Sequence, residues 1–155
     1  MLVGLIAMAL YDIKWMLLPD RIMKPLYFIS AAMALLSIAI SSHPLTAVIN
    51  LILSVAVGGG IFYILYQVSD GKWIGGGDIK LGWVIGLFLG TPMRSFLMIF
   101  LASFLGCLVS IPLLISHKLK KDSVIPFGPF LIASAIIVEL YGVNILNWYQ
   151  TIFIK

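Results

Sequence analysis

A polytopic bundle of transmembrane α-helices, with about six spans and both termini outside, is the fold this sequence predicts. Three observations carry that expectation. Of the 155 residues, 62% are hydrophobic and only 10% charged, with a mean hydropathy of +1.14. A soluble domain of that length has too little polar surface to cover so much apolar area, so lipid is the expected solvent. The apolar runs are long and unbroken, unlike the short alternating segments of a membrane barrel, so the spans are helices. The basic residues are also one-sided. With the N-terminus outside, the inner connections hold Lys14, Arg21, Lys24, Lys72, Lys80, Lys118, Lys120 and Lys121, and the outer side holds Arg94 and Lys155. Eight against two is the bias of cytoplasmic loops, and it supports an even number of spans with both termini outside.

Each crossing takes about 20 apolar residues. Helices are expected over roughly 1–18, 23–41, 45–68, 73–90, 95–116 and 124–142. Turn-forming residues punctuate the connections: Pro19-Asp20-Arg21, Ser41-Ser42-His43-Pro44, Ser69-Asp70-Gly71-Lys72, Gly90-Thr91-Pro92 and Ser116-His117-Lys118. Residues 1–143 then form one transmembrane domain. Residues 144–155 form a short interfacial tail, where Trp148 and Tyr149 suit the headgroup level. The first ten residues carry no basic n-region and no cleavage signal, so they read as a helix rather than a signal peptide, and that helix starts at Met1 without an outer flank. A net charge of +4 without an arginine-rich stripe gives no reason to expect nucleic acid. Cys107 is alone, which excludes a disulfide framework or a cysteine metal site within this chain. No cofactor or metal is expected.

Depth sorts the six acidic residues. Asp20, Asp70 and Asp122 fall in inner connections, where a solvated charge is the ordinary reading. Asp12, Asp78 and Glu139 fall within the predicted spans, where an ionisable group is costly and points to function. On the predicted helix ends, Asp12 lies roughly 9 Å and Asp78 roughly 8 Å from the inner ends of their helices, so the two match in depth. Glu139 lies about 20 Å up its helix and cannot join them. Two carboxylates brought close cannot both ionise. The charged member can then take a proton from an attacking water while the protonated member donates to the oxyanion or leaving amine. The competing structural reading pairs Asp12 with Lys14 and Asp78 with Lys80.

Two further segments bear on that choice. Gly75-Gly76-Gly77-Asp78 places three glycines at a helix mouth, at about 1 kcal/mol each relative to alanine, which suits close approach of backbone or of an extended substrate. A phosphate loop is the rival, but the fuller nucleotide patterns are missing. Pro126-Phe127-Gly128-Pro129 delays the last helix and leaves backbone groups free at membrane depth, tolerable only beside protein or a water-filled cavity. Its ordinary reading is a simple helix entry. Gly58-Gly59-Gly60 reads as a close helix crossing.

Tyr11-Asp12 with Leu18-Pro19-Asp20, then Gly75-Gly76-Gly77-Asp78-Ile79-Lys80, then Ile125-Pro126-Phe127-Gly128-Pro129-Phe130, resembles the type IV prepilin peptidases, bacterial membrane aspartic proteases of the GxGD class. The resemblance runs from Asp12 to Phe130 with all three motifs in order. It implies that Asp12 and Asp78 are the catalytic pair. It also gives Asp20, Gly75, Gly77, Lys80, Pro126, Phe127, Gly128 and Pro129 supporting or substrate-binding roles. The implied reaction removes the basic leader of a prepilin or pseudopilin, usually after a glycine, at the cytoplasmic face of the inner membrane. Many members carry a longer N-terminal part, often with paired Cys-x-x-Cys, linked to N-methylation. This sequence lacks it, so the expectation is cleavage without support for methylation, by a minimal peptidase or the C-terminal part of a longer protein.

Three rivals stand beside that reading. A presenilin-like or signal-peptide-peptidase-like protease calls for more spans and a Pro-Ala-Leu motif, which is missing. A proton-coupled transporter using the aspartates as relays lacks an inverted repeat. A non-enzymatic membrane subunit leaves the glycine–aspartate mouth unexplained.

Overall fold

The computed structural model describes residues 1–115 and 125–153. Six helices stand among the described residues: α1 (Leu2–Trp15), α2 (Asp20–Ala39), α3 (Pro44–Ser69), α4 (Gly76–Leu89), α5 (Pro92–Ile115) and α6 (Gly128–Phe153). The expected connection at Ser116-His117-Lys118, the start of the last helix at 124, and Lys120, Lys121, Asp122 and Lys155 lie outside the described residues.

α4 is the axis of the bundle. α2, α3, α5 and α6 pack around it, and α1 closes the ring by packing on α2 and α6. Accordingly Leu81, Gly82, Val84, Ile85 and Gly86 of α4 are buried, whereas the outer helices present large apolar side chains such as Phe28, Leu36, Ile64 and Phe104 to the surroundings. That inversion is expected when lipid is the solvent. α2, α3, α5 and α6 are long and apolar enough to cross a membrane. α1 and α4 have 14 residues each, about 21 Å of helix against about 30 Å of hydrocarbon.

The short helices end where local chemistry stops them. α1 was expected to reach residue 18 but stops at Trp15. Continuing it would drive the ring of Pro19 into the carbonyl of Trp15, and Pro19 also disfavours a helical Leu18. Met16 takes the left-handed conformation, φ 51°, with its N–H donating to the Asp12 carbonyl at 2.8 Å. α4 was expected from about Trp73 but begins at Gly76. Asp70 and Gly71, at φ 50° and 73°, end α3 in a tight turn, and the Trp73 N–H donates to the Ser69 hydroxyl at 3.3 Å. The far end of α4 closes at Gly90, φ 68°, followed by Pro92 at the start of α5.

Gly58 and Gly59 face α4. A Cβ on Gly58 would lie 2.8 Å from the Gly82 carbonyl oxygen, one on Gly86 would lie 2.9 Å from that of Ser54, and one on Gly59 would overlap the Trp83 ring. The backbones of α3 and α4 therefore touch, as the sequence suggests for these glycines. The Ser54 hydroxyl donates to the Gly86 carbonyl at 2.7 Å and lies 2.9 Å from the Ser95 hydroxyl, joining three helices at a buried polar point. Within this crossing α3 widens to a π segment over Ala56–Gly60. The last helix was expected to stop at 142, but α6 continues unbroken to Phe153.

Candidate active site

Helix ends, rather than helix middles, carry the two aspartates. Asp12 lies three residues before the end of α1 and Asp78 two residues after the start of α4. That puts them about 4–5 Å and about 3 Å from those ends, not the 8–9 Å expected. Both helices are shorter than expected at this end by a similar amount, and both aspartates line one cavity. α1 and α4 do not pack against each other. Between them opens a cavity of about 730 Å³ that both aspartates line.

Asp12 is 5% exposed, and its Oδ2 has no hydrogen-bond partner among the described residues. The backbone of Gly128, at the start of α6, faces its carboxylate. A Cβ on Gly128 would stand 2.5 Å from Asp12 Oδ2, so only glycine leaves room for the carboxylate at this place. Asp78 sits in the first turn of α4, its N–H donating to the Gly75 carbonyl at 3.1 Å. It is close enough to Asp12 for their charges to interact.

The competing ion pairs do not form. Lys80 turns away from Asp78 and binds Asp20 at 2.8 Å, with side chains 48% and 61% exposed. Lys14 lies over the Trp15 ring, 4.6 Å from its centroid. Neither Asp12 nor Asp78 has an ion-pair partner among the described residues. Glu139 pairs with Arg94 at 3.5 Å, away from the cavity, as its depth requires.

Of the other residues singled out in the sequence, Asp20, Gly75, Lys80, Pro126 and Phe127 line the cavity. Gly77 lines it too and lets Leu18 approach. A Cβ there would meet Leu18 Cδ1 at 2.8 Å, which explains why the Leu-Pro-Asp and Gly-Asp motifs belong together. Gly128 touches Asp12 rather than the open volume, and Pro129 does not line the cavity. Sequence reasoning missed Tyr27, whose hydroxyl donates to the Lys80 carbonyl at 3.0 Å. It also missed Phe62, which stacks edge-on against Phe127 at 5.9 Å, and Ser103, which lines the cavity from α5. Nothing distinguishes Phe62 or Ser103 from other residues of apolar spans; long-range packing alone selects them.

Taken together, two carboxylates without a cation partner among the described residues share a partly apolar cavity at one end of the bundle, beside an exposed ion pair. That arrangement suits acid–base chemistry on a substrate that enters the cavity. Among the described residues no group of three His, Cys, Asp or Glu side chains is placed to hold a metal.

Comparison with known proteins agrees with the motifs. The model of the type IV leader peptidase family matches residues 1–111. A prepilin leader peptidase/N-methyltransferase of Bacillus subtilis is 33% identical over 145 residues, covering 94% of this chain and 55% of that relative. Proteins of the same name from Aeromonas hydrophila and Legionella pneumophila are 29% and 28% identical, covering 97% and 94% of the chain and 51% and 50% of the relatives. The chain thus spans about half the length of these curated relatives. No solved structure matches at the level at which these relatives do.

Proposed function

The chain belongs to the type IV leader peptidase family, and from that premise we propose that it is an aspartic endopeptidase removing the basic leader of a prepilin-like protein. The observation that carries the proposal is the shared cavity. Asp12 and Asp78 line it from different helices, and neither is neutralised by a cation among the described residues. In the proposed reaction one aspartate is ionised and takes a proton from water as the water oxygen attacks the peptide carbonyl. The other is protonated and donates to the developing oxyanion, and a proton then passes to the leaving amine. No covalent intermediate is required. Asp12, held against Gly128 away from solvent, suits the member whose position must not vary, and Asp78, on the glycine-rich mouth, lies where an extended chain can pass close to backbone.

The proposal places this end of the bundle at the cytoplasmic face of the inner membrane. Six crossings with both termini outside then follow from the distribution of lysine and arginine. The four long helices cross fully, and α1 and α4 cross as short helices whose withdrawn ends make the cavity reachable from the aqueous side. The apolar helix of a prepilin-like substrate stays in the bilayer while its charged leader reaches the aqueous face. Residues 144–155 are proposed to lie at the opposite interface. The proposal covers cleavage alone.

Cleavage of a prepilin-like substrate, with a basic leader and a Gly-Phe junction, by the purified chain tests it. A single cut at that junction is expected; intact substrate with the protein shown to be folded counts against it.

A further inference from the structure

We infer that the cleft between the second half of α3 and the facing length of α5 is a lateral docking site for the apolar membrane-spanning helix of a leader-bearing substrate. The inference rests on the peptidase reading and adds the route by which the substrate reaches the aspartates. α3 changes its neighbours along its length. Pro44–Val55 packs on α2, α4 and α5, and the π segment Ala56–Gly60 packs on α4 and α5. Beyond it, Ile61–Ser69 packs on α4 and makes no contact with α5. The two helices therefore meet over one half and part over the other, where the Phe127 ring lies between Phe62 of α3 and Gly106 of α5. Ile61 and Leu65 on one wall, and Ile99 and Ser103 on the other, line the same cavity as Asp12 and Asp78. The parted stretch thus reaches the site beside Phe127, which lines the same cavity.

That continuity selects the occupant. The walls are apolar except for Ser103, which suits a helix of apolar side chains, and the cleft leads to carboxylates whose proposed work is on a peptide bond. Asp70 ends the α3 wall, exposed and without an ion-pair partner among the described residues, where the basic segment next to such a helix would emerge. A lipid tail would satisfy the walls but has no use for the path to the aspartates.

The three consecutive glycines of α3 do different work. Packing against α4 accounts for Gly58 and Gly59, but a Cβ on Gly60 would meet nothing within 4 Å. A glycine that packing does not need, at the end of a π segment and at the start of the parted half, is placed to let Ile61–Ser69 swing and widen the cleft.

The test uses the full chain carrying Asp78→Asn in a membrane with an uncut leader-bearing substrate. A photoreactive amino acid is placed at Leu65, at Ser103, or at Leu36, which faces outward on α2. Adducts with the substrate at Leu65 and Ser103 and none above background at Leu36 are expected. Adducts with lipid alone at the first two positions, or equal substrate adducts at all three, overturn the inference. Adduct formation needs no catalysis, so adducts together with an inactive wild type would sink the peptidase reading and leave docking standing, and cleavage without adducts would do the reverse. In the active chain, Gly60→Ala should hold or raise the melting temperature and yet slow cleavage of the membrane-embedded substrate about fivefold, the factor matching the glycine–alanine difference in helix preference. An unchanged rate removes the hinge.

Discussion

Adding one methyl group at Gly128 should disable the site without touching a charge. In Gly128→Ala the new Cβ would stand 2.5 Å from Asp12 Oδ2 and 3.2 Å from its Cγ, whereas ordinary contact starts at 3.4 Å. Either the carboxylate or the start of α6 must therefore yield by about 0.9 Å. The room the Asp12 carboxylate has is towards the cavity, so yielding there turns it away from its seat against Gly128. Displacing a reacting group by about 1 Å can cost on the order of 100-fold in rate. Overpacking of this kind costs about 1–3 kcal/mol in stability, which should lower the melting temperature without unfolding the protein. The assay is kcat and KM for leader cleavage in detergent, beside Gly76→Ala as the matched control. A Cβ at Gly76 meets no protein atom within 4 Å, so the same chemical change there should not lower the melting temperature, and any loss of cleavage should appear in KM, through the substrate that passes the glycine mouth, rather than in kcat. A folded Gly128→Ala variant cleaving at the wild-type rate would refute the seating of Asp12 against this glycine.

Other substitutions separate packing from chemistry. Gly86→Ala forces a Cβ to 2.9 Å from the Ser54 oxygen and the Val55 Cα, both backbone atoms that cannot rotate away, so thermal stability should fall by about 1–3 kcal/mol. Gly77→Ala meets the flexible end of Leu18 instead, and kinetics should show a milder, several-fold loss of rate than for Gly128→Ala. Glu139→Gln breaks a part-exposed pair with Arg94 outside the cavity, so cleavage should be intact and stability should change by about 0–1 kcal/mol. A loss of cleavage there as large as at the aspartates would contradict the placement of α6.

Much of this arrangement was legible in the sequence, because lipid as solvent makes the pattern coarse. Six apolar runs became six helices, and ionisable groups inside them were few enough to single out Asp12, Asp78 and Glu139. The helix ends were not legible to the residue. The apolar run of α1 continues through Leu17 and Leu18, and only the consequence of Pro19 for the preceding turn stops it at Trp15. The run into α4 likewise includes Trp73 and Ile74, which the turn at Asp70 and Gly71 keeps out of the helix. Both errors placed an aspartate too far from the end of its helix by a similar amount. The partner of Lys80 was beyond local reasoning. Its neighbour in sequence is Asp78, but the ion pair forms with Asp20, 60 positions away, because α2 packs on α4. The role of Gly128 was visible as an unusual motif, but that its missing Cβ leaves space for Asp12 is a fact of how α1 meets α6.

The most direct test of the central claim is leader cleavage by the purified chain beside Asp12→Asn and Asp78→Asn, each matched for folding by circular dichroism and melting temperature. Each asparagine keeps the size of the side chain and removes its capacity to carry or exchange the proton. The account predicts one cut at the leader junction by the wild type, and a loss of roughly 100-fold or more in both variants. Full activity in either folded variant would contradict it, since a pair that shares a proton does not work with one member replaced.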